Sequence, residues 1–260
     1  MRFSSIKMQV VLIAAIMQLA GHCAYGFEIF DGVVYKHKPD MSRYGIKPIL
    51  ILYDDAFWDK GEDKKELNRK KIVETAKKIP RASIVCIDIE HLGADKLKEV
   101  AVLIKKNAPQ SQIGFYGIPL REYWASLAEK SSQQYKDWVN KNEQYIALIQ
   151  EVDILFPSLY TFYPFPEQWE KYAIENIKQA KIYGKPVYPF LWPQYHDSTI
   201  LKGSYINGDL WRLELETCYK YADGIVMWGG WDMIAWKAED WKDDAIWWAV
   251  TQKFIVSNKI

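Results

Sequence analysis

Apolar residues gather in seven short runs, at positions 27–30, 48–53, 83–88, 112–116, 152–157, 186–192 and 224–228. Each has the length of a strand and is apolar nearly throughout, as strands covered on both faces are. Between most of them the period becomes helical. Leu97, Val100, Ala101 and Ile104 fall at i, i+3, i+4 and i+7, ahead of a stop at Asn107-Ala108-Pro109. Trp169, Tyr172, Ala173, Ile177 and Ala180 repeat the pattern, with Gly184 placed to cap the helix and Pro186 beyond it. Further helices are predicted over 134–150, 209–221 and 238–255, and the mixed-sign run EDKKELNRKK (62–71) reads as a wet helix face. Strands alternating with helices imply a parallel sheet, and six or seven such units in about 230 residues suit a closed α/β barrel. No linker, repeat or low-complexity tract divides residues 27–260, which are read as one domain.

The polar residues that end these runs carry the chemistry. They are Tyr53-Asp54-Asp55, Asp88-x-Glu90, Tyr116, Ser158-Leu159-Tyr160, Trp192-Pro193-Gln194-Tyr195 and Trp228-Gly229-Gly230-Trp231-Asp232. One such cluster fits a turn or a cap. Six in a row describe a rim at the C-terminal strand ends, where α/β barrels hold their active sites. Within it, SIVCIDIEHLG (83–93) places Asp88 and Glu90 two apart, on one side of a strand and roughly 7 Å from each other. Burying two acids side by side is costly unless they are used. A helix cap with a surface ion pair would account for the pair alone; the rim favours chemistry.

Composition sharpens this. Twelve Trp and 17 Tyr exceed what packing usually asks for, and aromatic faces suit sugar rings. Trp169, Trp211, Trp247 and Trp248 fall on helical patterns and read as packing, whereas Trp58, Trp192, Trp231 and Trp236 follow strands and are candidates to stack on sugars. Residues 1–26 read as a secretory signal, with Arg2 and Lys7 as the charged start, 8–20 as the apolar middle and Ala24-Tyr25-Gly26 as the cleavage site. The apolar middle is too short to span a bilayer comfortably, so a secreted or periplasmic protein without stable membrane insertion is expected. Removing the signal takes the net charge from +1 to about −1, since Arg2 and Lys7 leave with it. Only six of the 34 basic residues are Arg and none cluster, which speaks against nucleic acid as a partner. Cys23 leaves with the signal, and Cys86 and Cys218 are expected as two buried free thiols.

Several reaction classes find no support. There is no H-E-x-x-H, C-x-x-C, G-x-S-x-G, phosphate loop or dinucleotide fingerprint, so no metal site and no cofactor are expected. His91 neighbours Glu90 but points the other way along a strand, and reads as structural. Two carboxylates ringed by Tyr and Trp point to glycoside hydrolysis on a polysaccharide. Two acids usually face each other across the bond from different strands. Acids sharing a strand fit the substrate-assisted exception, in which a 2-acetamido oxygen attacks while one acid protonates the leaving oxygen. Crowding also raises the pKa of one member, which keeps a proton in place. A conventional glycosidase pairing Glu90 with Asp54, Asp55 or Asp232 stays open, as does a barrel that binds carbohydrate without turnover.

ILILYDDAFW, IVCIDIEH, QIGFYGIP, VDILFPSLY, KPVYPFLWPQYHD and ADGIVMWGGWD, in that order and spacing, resemble the segments of the hyaluronidases, endo-β-N-acetylhexosaminidases of bee venom and mammals, over about residues 48–235. The resemblance implies an irregular TIM-like (β/α) barrel of about seven parallel strands and a retaining, substrate-assisted mechanism. It also implies Glu90 as proton donor, Asp88 as the acid that orients the acetamido group, and Tyr116, Tyr160 and Trp228 as the lining of the cleavage subsite. Tyr53, Trp192 and Asp232 complete the expected substrate contacts. The chain departs from the pattern at Gly93, where the family carries an Arg three residues after the catalytic Glu, and it lacks the family's disulfides. Without that cation, a neutral N-acetylhexosamine polymer of the chitin type stands beside hyaluronan and chondroitin as the expected substrate.

Overall fold

A computed structural model describes residues 26–233 and 235–260; the leader predicted over 1–26 lies, but for Gly26, outside the described residues. Among the described residues, nine strands and eight α-helices follow in order. The strands are β1 (Glu28–Val33), β2 (Lys47–Pro48), β3 (Leu50–Leu52), β4 (Ile84–Ile87), β5 (Gln112–Phe115), β6 (Phe190–Leu191), β7 (Gly224–Gly229), β8 (Trp231–Asp232) and β9 (Lys237–Ala238). The helices are α1 (Arg69–Lys78), α2 (Ala94–Asn107), α3 (Tyr123–Leu127), α4 (Gln133–Glu143), α5 (Ile146–Glu151), α6 (Pro166–Lys181), α7 (Gly208–Tyr221) and α8 (Ile246–Asn258).

Two parallel sheets, ordered β2-β1-β7-β6 and β3-β4-β5, form the wall. Two joints close them into one ring. The first is covalent: β2 pairs with β1 and β3 with β4, so 47–52 is one bent strand serving both sheets. The second is the segment 154–158, whose bridges run from Phe156 to Tyr116 on one side and from Leu155 to Val187 and Ser158 to Phe190 on the other. The ring therefore has seven staves, one for each apolar run. Prolines explain why several are short: Pro48, Pro157, Pro186 and Pro189 lack the N–H a regular ladder needs. The small antiparallel β8–β9 hairpin stands outside the ring.

Alternation along the strands sorts the core. Phe30, Cys86, Ile154, Phe156, Phe190 and Val226 point inward and fill the barrel. Their neighbours Ile29, Leu191, Ile225 and Met227 point outward, packing under α6, α7 and α8. Val85, Ile87, Ile113, Phe115 and Leu155 likewise point outward, under α1, α2 and α5. The same parity carried past the strand ends aims Asp88, Tyr116, Ser158, Tyr160, Trp192 and Trp228 at the barrel mouth.

Three predicted helices need correction, and one helix is new. The 62–71 run is helical only from Arg69; before it, Asn68 caps α1 by accepting from the Lys71 amide, and 62–68 is loop. The helix expected over 134–150 breaks at Gln144–Tyr145 into α4 and α5. The last helix begins at Ile246 rather than 238, because 237–238 pairs in the hairpin. The short α3 was not predicted at all.

Candidate active site

The site grows from the end of β4. The ladder continues one residue beyond the strand, where the Asp88 amide donates to Leu52 O at 2.9 Å. Alternation also persists: Asp88 is half-buried, Ile89 is buried in the outer core, and Glu90 is exposed. The two acids thus lie just past the strand rather than within it, still on a common side. Burial, the charge of Glu90 and the charge of Asp54, in that order, push Asp88 up from the ordinary 3.8 to about 7. Near neutral pH Asp88 is therefore poised between its protonated and its charged form.

An open cleft of ≈ 490 Å³ adjoins this pair, with Glu90, Tyr116, Arg121, Ser158, Phe162 and Trp124 among its walls. Asp88, Tyr53, Tyr160 and Trp228 connect to it without lining it. The Tyr116 and Tyr160 rings lie 5.9 Å apart, Tyr160 and Trp228 5.8 Å apart, and Trp228 Nε1 donates to the Tyr53 hydroxyl at 3.2 Å. Burial raises the phenols of Tyr53, Tyr116 and Tyr160, that of Tyr53 to about 12, so all three stay protonated and able to donate. Asp88 adds to the rise in each of them, as a carboxylate near all three hydroxyls does.

Asp88, Glu90, Tyr116, Tyr160, Trp228 and Tyr53 are thus brought together. Trp192 is adjacent but buried, edge-on to Trp228 at 4.9 Å, with Nε1 donating to Gln194 at 2.7 Å. It supports Trp228 and offers no face for stacking. Trp58, another stacking candidate, is core, with Nε1 donating to Glu66 O. Asp232 lies elsewhere: it accepts from the Ala235 amide and lines a separate cleft of ≈ 310 Å³ with Gln194, Lys202 and Glu239. Asp54 is engaged by Lys64 at 2.6 Å, with His91 Nδ1 3.7 Å away. His91 also packs on Trp58, the structural place expected of it.

One residue of the site was not anticipated. Arg121 enters the cleft from the turn after β5, with its guanidinium 5.3 Å over the Phe162 ring. Its Nη1 donates to Ser158 Oγ at 3.0 Å and to the Tyr116 hydroxyl at 3.4 Å. A cation thus lines the cleft together with Glu90, and the Glu90 charge acts on it. Nothing local to Pro119-Leu120-Arg121 marks this, since the nearer hydroxyl and the ring beneath the guanidinium come from Ser158 and Phe162, 37 and 41 positions away. Cys86 and Cys218 are both free and buried, one inside the barrel and one on the buried face of α7. Among the described residues, no group of three or more His, Cys, Asp or Glu could hold a metal ion, and no helix is long and apolar enough to cross a membrane.

No protein-family model matches the sequence, and no curated protein does. Solved structures do. Bee venom hyaluronidase, solved in complex with a hyaluronic acid tetramer, superposes with a TM-score of 0.62 at 15% identity, over 89% of this chain and 96% of that one. A proposed alpha-L-fucosidase from Bacteroides thetaiotaomicron superposes at 0.50 and 15% identity, over 84% of this chain and 70% of that one. At such identity the likeness is one of architecture, and it agrees with the closed ring above: the chain is an irregular (β/α) barrel.

Proposed function

We propose that this chain is a glycoside hydrolase cleaving β-linked N-acetylhexosamine polysaccharide, with retention of configuration and with the substrate's acetamido group as nucleophile. The carrying observation is the position of Asp88 and Glu90. They follow one strand at the mouth of a (β/α) barrel, the charge of Glu90 acting on a buried Asp88 that titrates at about 7, beside tyrosine hydroxyls and a Trp. The fold likeness to a hyaluronidase supports the same reading.

Glu90 is the exposed member, so it is placed to give its proton to the glycosidic oxygen. As the C1–O bond breaks, the acetamido carbonyl oxygen bonds to C1 from the opposite face. Asp88, anionic when Glu90 holds the proton, accepts from the acetamido N–H and offsets the positive charge on the ring that forms. Glu90 then takes a proton from water, which attacks C1, reopens the ring and restores the original configuration. Tyr116 and Tyr160 donate to the acetamido oxygen, and Trp228 presents its face to the sugar. The leader over 1–26 completes the reading with export to where such polymers occur.

Reducing-end release from hyaluronan, chondroitin, chitin oligomers, peptidoglycan and a glucan lacking acetamido groups tests this. Cleavage of acetamido polymers only, lowered at least about 10²-fold in Glu90→Gln, is expected. Cleavage of the glucan would transfer the nucleophile's role to a protein carboxylate. Asp54 is then the foremost choice, because its charge already acts on Asp88. Binding without cleavage by the parent protein would make the barrel a carbohydrate receptor and sink the enzymatic reading.

A further inference from the structure

The direction of hydrogen bonding around Tyr116 follows from what each neighbour is able to do. A guanidinium only donates. Arg121 Nη1 reaches two hydroxyls, with Ser158 Oγ the nearer at 3.0 Å and Tyr116 Oη at 3.4 Å. The two hydroxyls are 2.9 Å apart, so one donates to the other. Ser158 is fully buried, and a buried hydroxyl proton has to find its acceptor inside the protein. Tyr116 Oη is the acceptor in reach. Were Tyr116 the donor instead, the Ser158 proton would be stranded. Both side chains border the open cleft, but Tyr116 keeps 9% of its surface exposed where Ser158 keeps none, so the phenol is the one with room to turn its own proton outward.

We propose that Arg121 and Ser158 form a one-way relay, Arg121 to Ser158 to Tyr116, which holds the Tyr116 hydroxyl as a donor into the cleft. Both are positioning residues for the group that Tyr116 meets there. Resting on the function proposed above, the inference makes that group the acetamido oxygen, whose attack on C1 requires it to be held still and polarised. The guanidinium is itself held by the Phe162 ring, so the relay has a fixed origin. The charges facing Tyr116 agree with this arrangement: Arg121 and Ser158 draw the phenol down, while burial and the carboxylates Glu90 and Asp88 push it up. Removing either relay member takes away a stabiliser of the phenolate and lets the opposing influences act unchecked.

Two measurements test the relay, one independent of turnover. 3,5-Difluorotyrosine, whose phenol titrates well below that of tyrosine, is placed at position 116 and followed by fluorine NMR against pH. The titration midpoint is expected to rise by one pH unit or more in both Arg121→Gln and Ser158→Ala; an unchanged midpoint in both overturns the relay. In steady-state kinetics, Ser158→Ala is expected to lower kcat about tenfold, the worth of one hydrogen bond, with KM within twofold. In a Tyr116→Phe background the same substitution should cost less than twofold, because the phenol it acts through is gone. An equal loss in both backgrounds refutes the proposal even if every variant folds. Should the parent protein cleave no glycan, the function proposed above fails, and the fluorine titration alone decides the relay. Should Ser158→Ala not fold, Arg121→Gln carries both measurements, its side chain being only half-buried.

Discussion

At the scale of the residue, the sequence placed the two acids beside each other but not which of them its surroundings perturb. The i, i+2 spacing follows from backbone geometry and survives past the end of β4. Which acid is perturbed depends on burial and on Asp54, 34 positions earlier, and it is Asp88. The consequence for stability has a definite sign. Between the ordinary 3.8 and about 7, the folded chain binds more protons at Asp88 than the unfolded chain does. Its contribution to stability is therefore complete at low pH, is lost as pH rises through that window, and changes little above it. Asp88→Asn removes this slope. Thermal midpoints of parent and variant, followed from pH 3 to 9, should draw apart in the variant's favour as pH rises to about 7, then run parallel. A difference independent of pH would mean that Asp88 titrates as an ordinary carboxylate. Tyr116, Tyr160 and Trp228 were legible because each follows a strand on the inward parity. Arg121 was not, for it reaches the cleft from a turn and acquires its role only from Ser158 and Phe162.

At the scale of the element, apolar runs gave all seven staves, and helical spacing gave α2 and α6 and placed α7 within a residue of its bounds. Pattern failed where polar residues decided the outcome. The break between α4 and α5 falls in a stretch whose periodicity never lapses, and the β8–β9 hairpin depends on pairing between residues that no local spacing relates. Glycine at two strand positions sets how closely the staves approach. A Cβ on Gly114 would lie 2.3 Å from Ile154 O, and one on Gly224 2.3 Å from Glu28 O, both backbone atoms unable to yield cheaply. Gly114 therefore lets β5 meet the irregular segment 154–158, the weaker of the two joints. Gly114→Ala is expected to destabilise the protein by about 3 kcal/mol or prevent folding, as judged by urea denaturation. A loss below about 0.5 kcal/mol would show that this joint opens without consequence.

At the scale of the whole molecule, ring closure makes the inner and outer cores depend on one another. Cys86 reports on the interior of the barrel and Cys218 on the outer core that the buried face of α7 covers. Both thiols are fully buried, and burial raises both above the ordinary thiol range, so neither should react with a maleimide in the folded protein. Across a urea gradient, mass mapping should find the two sites labelled at one common midpoint, since neither half of the ring is closed without the other. Separate midpoints would mean that the two sheets unfold as independent units. The amino-acid sequence by itself determined the strand count, the parallel α/β class, the inward parity of the site residues and the adjacency of Asp88 and Glu90, because each is written in spacings of two to four residues, the reach of a strand or helix repeat. Tertiary structure alone decided that Asp88 is the perturbed acid, that Trp192 and Trp58 are packing, that Asp232 belongs to another cleft, and that Arg121 lines the same cleft as Glu90. Each of these depends on burial and on neighbours tens of positions away, and those exist only once the ring has closed.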